Sequence, residues 1–105
     1  MVADAELGWA LPAGSTMSWR GTPARINHLG LLGPEPAQQS SLTRVLVVGD
    51  SSVFGDGVSD TDTMARQLSR ALPSSYTVQN GGVPGYTCLQ TRTLLERIQK
   101  HFVPD

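Results

Sequence analysis

The chain has 105 residues and a formal net charge of −1, so it has room for one small domain but too few residues for two independent cores. Its basic residues are spread along the chain without forming a run, which argues against a nucleic-acid partner. The single cysteine excludes an intrachain disulfide, and no set of cysteines and histidines has the spacing of metal ligands. We therefore expect neither a metal nor a cofactor.

The first residues lack the basic end and the apolar stretch of a signal peptide. No run approaches the ~20 apolar residues that are needed to cross a bilayer. The sequence therefore assigns no compartment to the protein.

Residues 1–43 are rich in proline and glycine, which interrupt every periodic pattern in this part of the chain. We interpret them as an irregular N-terminal extension that packs against the domain. A disordered tail is the alternative, but Trp9 and Trp19 argue against it because disordered segments are poor in aromatic residues. Both tryptophans are interpreted as packing anchors rather than as platforms for a ligand.

Regular patterns begin at residue 44. The run Val-Leu-Val-Val at 45–48 is apolar without alternation, which predicts a strand buried on both faces of a parallel sheet. Ser59 and Asp62 then have the spacing of a capping box and predict a helix start. This helix ends at Pro73, and its predicted apolar face consists of Met64, Leu68, Ala71 and Leu72.

A second strand is predicted at residues 76–79, and a glycine-rich loop follows it. Thr87 and Gln90 again have capping-box spacing and predict the start of a second helix. The apolar stripe of that helix consists of Cys88, Thr91, Leu95, Ile98 and Phe102, with Leu94 beside it. Cys88 is therefore expected to be a small buried residue.

The order β-α-β-α in residues 44–105 predicts the α/β class, as a three-layer, doubly wound, flavodoxin-like parallel sheet. Two parallel strands make a poor sheet, so this one is expected to be incomplete. A third strand is expected after residues 103–105, and we interpret the chain as the N-terminal part of such a domain.

Chemistry in open α/β sheets collects at the carboxyl ends of the strands. Two glycine-rich loops are predicted to lie there, residues 49–55 after the first strand and residues 80–87 after the second. Ser51 follows the first strand at a sharp turn into a helix. Its hydroxyl is expected above the sheet, and its amide is expected to face a developing oxyanion. Gly85 precedes the second predicted helix, where a backbone amide can also reach an anion.

These two loops resemble the first two signature blocks of the SGNH (GDSL-type) serine hydrolases. Residues 45–51 are similar to the first block, a buried strand followed by Gly-Asp-Ser, and residues 80–85, Asn-Gly-Gly-Val-Pro-Gly, are similar to the second. Residues 25–35 resemble a lead-in that precedes the catalytic domain in a bacterial branch of the family. The resemblance implies an ester hydrolase in which Ser51 is the nucleophile and the amides of Ser51 and Gly85 are oxyanion donors.

Three neighbouring residues are expected to support these two. Gly49 lets the chain turn tightly after the strand. Asp50 lies next to the nucleophile, so we interpret it as organising its own loop rather than as the acid that supports a base. Asn80 is expected to tie the second loop to the first, because a buried amide side chain bridges backbone groups well.

Enzymes of the family also use an Asn in a Gly-x-Asn-Asp block and a His in a late Asp-x-x-His block, and neither block occurs in this sequence. His101 is expected about 21 Å along the second helix from its active edge, too far to reach Ser51. We also do not interpret His28 as the base. The chain by itself is therefore expected to be inactive or nearly so, unless another chain supplies the missing groups.

The resemblance implies small-molecule, lipid or carbohydrate ester substrates, and the lead-in favours bacterial acyl or O-acetyl-carbohydrate esters. One alternative is a nucleotide- or phosphate-binding module, because both loops lie at helix starts. Neither loop has the P-loop pattern or the Gly-x-Gly-x-x-Gly pattern, which argues against it. A second alternative is a truncated, non-catalytic domain that self-associates through its unpaired strand edge.

Overall fold

The computed structural model describes residues 1–37, 39 and 41–105. Two antiparallel hairpins come first. In the first hairpin β1 (Val2–Asp4) pairs with β2 (Gly8–Ala10), and in the second β3 (Thr16–Trp19) pairs with β4 (Thr22–Arg25). The second hairpin turns through Arg20 and Gly21, which have φ values of 49° and 79°. Two positive φ values at the centre of a two-residue loop are the geometry that matches strand twist.

The regular part of the chain contains one parallel strand pair and three helices. β5 (Thr43–Gly49) pairs with β6 (Tyr76–Gly82), so that Gly49 lies opposite Gly82 at the end of the ladder. Two short helices, α1 (Ser51–Phe54) and α2 (Met64–Ala71), lie between these strands in the chain. The longest helix, α3 (Cys88–Ile98), follows β6.

The prediction of a three-layer, doubly wound, flavodoxin-like sheet is wrong. The described residues form one parallel pair and two separate antiparallel pairs, with three short helices. A single parallel pair is too small to present two helix-covered faces. Residues 1–43 are also more regular than predicted. Their strands are only three or four residues long, which is too short for a periodic pattern to mark them.

The hydrophobic core lies between the N-terminal segment and the helices, not around β5. One cluster of buried side chains joins Leu7, Leu11, Ala24, Ile26, Leu31 and Leu32 to Phe54, Val83, Tyr86, Leu94, Ile98 and Phe102. β5 is only half-buried along its whole length, so the prediction of a strand buried on both faces is also wrong. Its apolar run reflects a partial cover by one neighbouring strand and by α1 and α3.

Of the two capping boxes predicted at helix starts, one is confirmed and the other is wrong. The capping box of α3 is confirmed: Thr87 Oγ1 accepts from the amide of Gln90, and the Gln90 side chain accepts from the amide of Thr87. The box at Ser59 and Asp62 is wrong, because α2 begins at Met64 and is capped by Thr63. Residues 59–63 are all cap formers, and burial of Thr63 selects among them.

Two residues of the predicted apolar faces point to solvent. Cys88 is exposed at the first turn of α3, so the prediction that it is buried is wrong. Met64 is 53% exposed at the start of α2. The buried part of α3 is its second half, where Leu94 and Ile98 enter the core.

In the described part of the chain, no helix combines the length and apolar character that a bilayer crossing needs.

The first hairpin is attached to α3 by an ion pair. The Arg97 guanidinium donates to both carboxylate oxygens of Asp4, at 2.7 and 3.1 Å, and also to Glu6 at 2.9 Å. The hydrogen bonds from Arg97, together with those from the amides of Leu7 and Glu6, hold the pKa of Asp4 well below its ordinary value. Two parallel N–H···O bonds of this kind are stronger and more directional than one.

This lowered pKa predicts how stability changes with pH. A carboxyl of lowered pKa stabilises the fold above its unfolded pKa of about 3.9, and that contribution is lost as the pH falls through the folded value. We expect Asp4→Asn to melt below the parent by a constant margin from about pH 5 to about pH 8, and the margin to close below about pH 4. Thermal unfolding across this range checks it. Glu96→Gln, in an exposed pair with Arg92, is the control and should change little.

Packing of the N-terminal segment predicts a second result. Leu31 is fully buried, whereas Leu89 is 72% exposed. We expect Leu31→Ala to lower the free energy of unfolding by about 2–5 kcal/mol, because it leaves a cavity in the core. Leu89→Ala should cost less than about 0.5 kcal/mol. Urea unfolding measures both. Equal midpoints for the two variants would mean that residues 1–43 do not pack on the rest of the chain.

Candidate active site

The candidate site lies where β5 and β6 end. Gly49 and Gly82 are paired at the end of the parallel ladder. Ser51 begins α1 two residues after Gly49, and Gly85 lies three residues after Gly82. Both residues line one open cavity of about 420 Å³. The other residues that line it are Met1, Trp9, Trp19, Arg20, Asp56 and Pro84. The structure thus brings the predicted nucleophile and the predicted second oxyanion donor to the same cavity.

The first loop is organised by the carboxylate of Asp50. Its Oδ1 accepts from the amide of Ser52 at 2.9 Å, so Asp50 is the N-cap of α1. The carbonyl of Ser51 accepts from the amides of Gly55 and Asp56. These bonds hold the backbone of Ser51 in a single helical turn, with its side chain half-buried at the cavity.

Asn80 joins the second loop to the first. Its side chain is almost fully buried, donates to the carbonyl of Val53 at 3.0 Å and accepts from the amide of Gly82 at 2.9 Å. The amide of Val83 also donates to the carbonyl of Gly49 at 3.0 Å. Movement of one loop therefore requires movement of the other.

Gly82 lies against the backbone of α1 with no space for a side chain. A Cβ at this position would lie 2.3 Å from the Phe54 nitrogen and 2.7 Å from the Val53 carbonyl carbon. Backbone atoms cannot rotate away as a flexible side chain can, so this contact requires glycine. The second glycine of Asn-Gly-Gly thus sets the distance between the two loops.

Gly85 requires glycine for two reasons. Its φ of +81° is in the left-handed region, and a Cβ would lie 3.0 Å from Cζ2 of Trp9. The residue is exposed, although its neighbours Pro84 and Tyr86 are buried. The turn thus brings the Gly85 backbone to the surface that lines the cavity.

The N-terminal hairpins supply cavity residues that the sequence did not predict as part of the site. Trp19 Nε1 donates to Oδ1 of Asp56 at 2.9 Å, and Arg20 pairs with Oδ2 of the same carboxylate at 3.1 Å. Trp9 Nε1 donates to the carbonyl of Pro84 at 3.0 Å. Arg20-Gly21 is a possible turn signal in the sequence, but no local pattern shows which loop a hairpin tip will contact.

Neither histidine lines this cavity. The His28 ring pairs with Glu35 on the exposed surface. Loss of hydration acts to raise the pKa of Glu35, but the hydrogen bonds from the His28 ring and amide outweigh it and lower that pKa. His101 lines a different cavity with Arg44, at the beginning of β5. Ser51 follows the other end of β5, so His101 lies far from Ser51, in agreement with its predicted position at the far end of the second helix.

No metal centre is found in the part of the chain that the structure describes: no group of three or more His, Cys, Asp or Glu side chains there could hold an ion.

No family model, no curated protein and no solved structure matches this chain. The resemblance to SGNH hydrolases therefore stays a prediction from the sequence, made on residues 45–51 and 80–85 and on the lead-in at 25–35.

The contact at Gly82 generates a prediction. We expect Gly82→Ala to lower the free energy of unfolding by about 3 kcal/mol, the upper part of the range for overpacking, because its Cβ would meet backbone rather than side chain. Ser52→Ala, on the exposed side of the neighbouring loop, is the control and should change it by less than about 0.5 kcal/mol. Urea unfolding of both variants measures the difference. An unchanged midpoint for Gly82→Ala would contradict the close approach.

Proposed function

We propose that this chain carries the nucleophile and two oxyanion donors of a serine ester hydrolase of the SGNH type. The observation that supports this most is the convergence of Ser51 and Gly85 on one cavity at the carboxyl ends of two paired parallel strands. The resemblance of the loop sequences to the SGNH signature blocks assigns the roles. A strand-to-helix turn that presents a serine beside backbone amides is suited to attack on an ester carbonyl.

In the proposed reaction a base takes the proton from Ser51 Oγ while Oγ bonds to the carbonyl carbon of the ester. The carbonyl π electrons move to the oxygen, and the amides of Ser51 and Gly85 donate to it. Collapse of this intermediate breaks the bond to the alcohol, which leaves with the proton. Water then attacks the acyl-serine in the same way, releasing the acid and restoring the hydroxyl.

Neither histidine lines the cavity, and the carboxylate of Asp56, which does line it, is bonded to Trp19 and Arg20. We therefore assign no residue of this chain as the base. Removal of one oxyanion donor from a serine hydrolase costs about 10²–10³ in rate. Removal of the catalytic histidine costs on the order of 10⁶. We therefore propose that the base comes from outside these residues, and that the isolated chain turns over esters only negligibly.

The proposed substrates are small-molecule, lipid or carbohydrate esters. The cavity volume of about 420 Å³ falls within the range of small-molecule sites, about 300–1,000 Å³. Trp9 and Trp19 in its wall suit an uncharged group. Arg20, the basic side chain that lines the cavity, already pairs with Asp56, so nothing here favours a nucleotide phosphate over an ester.

Association with a second copy is proposed as a separate property of the chain. β5 is an edge strand of the parallel pair within the described residues. At its beginning, the Asp105 amide donates to the carbonyl of Arg44, and the Asp105 carboxylate accepts from the Arg44 amide. Unpaired strand edges favour pairing with another chain. Solution size as a function of concentration tests this, and a monomer at all concentrations would contradict it.

An external base makes the nucleophile testable in the chain as it is. We expect a fluorophosphonate probe to label Ser51 at a rate that rises with added imidazole, because imidazole can take the hydroxyl proton in the open cavity. Mass spectrometry locates the adduct. Ser51→Ala should remain unlabelled, and the control Ser52→Ala should be labelled like the parent.

Two outcomes would contradict parts of the proposal. Absence of the Ser51 adduct at every imidazole concentration would contradict the nucleophile. Ester turnover that depends on Ser51 without any added base would contradict the statement that the base lies outside residues 1–105.

A further inference from the structure

The first hairpin is bound to the turn that contains Gly85 by two hydrogen bonds and a ring contact. Trp9 Nε1 donates to the carbonyl of Pro84 at 3.0 Å, and the Tyr86 hydroxyl donates to the carbonyl of Trp9 at 2.6 Å. The rings of Trp9 and Tyr86 also pack with their centroids 5.8 Å apart. The ordinary pKa of tyrosine lies well above neutral and burial raises that of the Tyr86 phenol further, so its hydroxyl is protonated and donates at neutral pH. Both neighbours of Gly85 are thus bound to one residue, Trp9.

The bond from Trp9 to Pro84 acts on the amide of Gly85 through covalent geometry. The carbonyl of Pro84 and the N–H of Gly85 belong to one planar peptide unit, which is trans. In a trans peptide these two groups point in opposite directions. A donor that fixes the direction of the carbonyl therefore fixes the direction of the N–H. Hydrogen bonding at the carbonyl also polarises the same amide and strengthens its N–H as a donor.

The hairpin that carries Trp9 is hydrogen-bonded to α3. The Gln90 side chain donates to the carbonyl of Leu7 at 2.7 Å, two residues before Trp9, and Leu7 is fully buried. The Asp4–Arg97 pair holds the other strand of the hairpin on α3. The indole is therefore carried by a hairpin that is attached to α3 at two points.

We propose that Trp9 is a positioning residue of the oxyanion hole. Its indole N–H fixes the Pro84–Gly85 peptide plane, so that the Gly85 N–H is oriented before the ester arrives. This inference rests on the proposed function of Ser51 and Gly85. Orientation before reaction matters because donors that must reorganise during the reaction stabilise the transition state less.

The matched pair Trp9→Phe and Trp19→Phe tests it. Each variant keeps an aromatic ring in the cavity wall and removes one indole N–H, but only that of Trp9 bonds to the Gly85 loop. We measure imidazole-assisted fluorophosphonate labelling of Ser51 over a range of probe concentrations. Trp9→Phe should lower the limiting rate by about 10²-fold, as for loss of an oxyanion donor. For Trp9→Phe the probe concentration at half-maximal rate should be unchanged. Trp19→Phe, which alters the same cavity wall without touching the Gly85 loop, should lower the limiting rate at least tenfold less than Trp9→Phe does.

A spectroscopic measurement separates positioning from general loosening of the fold. In ¹⁵N–¹H spectra, Trp9→Phe should shift the amide resonance of Gly85 while the amide of Asn80 stays in place. A Trp9→Phe limiting rate equal to that of Trp19→Phe would overturn the inference and leave the nucleophile intact. Absence of a Ser51 adduct in the parent would overturn both.

Should Trp9→Phe fail to fold, the unsubstituted sequence still decides the question. Incorporation of 5-fluorotryptophan makes the indole N–H a stronger donor without placing an atom at Cζ2, the carbon that faces Gly85. The Gly85 amide nitrogen should then shift, whereas that of Gly33, which lines a separate cavity that contains neither tryptophan, should not. An unchanged Gly85 resonance would overturn the inference.

Discussion

The two loops of the candidate site are held together by backbone that lies against backbone. Gly82 approaches the first turn of α1 so closely that no side chain fits between them, and Asn80 spans the junction with one donor and one acceptor. A buried amide that satisfies both loops costs free energy if either loop moves away. The relative position of Ser51 and Gly85 depends on this junction as well as on the strand pair beneath it.

The N-terminal segment completes the site as well as the core. Its hairpins bury apolar side chains against the helices, and they bring two tryptophans to the cavity, Trp9 from β2 and Trp19 from the end of β3. The indole N–H groups are hydrogen-bonded to the loops that follow β5 and β6, Trp19 to Asp56 and Trp9 to Pro84. An amphipathic ring of this kind can bury its apolar body while its polar edge finds a partner.

Charged side chains form ion pairs at the edge of the cavity and between the first hairpin and α3. Arg20 and Asp56 neutralise each other beside Trp19, and Arg97 holds the first hairpin through Asp4. The bonds of Ser51 itself are made by its backbone carbonyl, and the adjacent Asp50 carboxylate is used as the cap of α1. Backbone amides suit stabilisation of a developing negative charge, but they cannot accept the hydroxyl proton. The proposed mechanism therefore assigns the oxyanion donors to Ser51 and Gly85 and the base to a group outside residues 1–105.

Much of the local structure follows from short-range sequence chemistry. The strand before Gly-Asp-Ser, the capping box at Thr87 and Gln90, and the role of Asp50 as a cap each depend on residues a few positions apart. The bridge from Asn80 to the first loop was also predictable, because the ends of paired parallel strands meet at one edge. These features could be predicted because the groups that interact are close in sequence or are joined by the strand pairing.

Only the tertiary structure decided the rest. The hairpins of residues 1–25 escaped prediction because three- and four-residue strands carry too little pattern. The start of α2 moved to Thr63 because burial selected one of several equivalent caps. The exposure of Cys88 and the partial cover of β5 depend on where the core formed. The sequence by itself determined the candidate nucleophile turn, since that is local backbone chemistry. The tertiary structure decided the aromatic wall and the support of Gly85, because contacts between residues 75 or more positions apart arise only from packing.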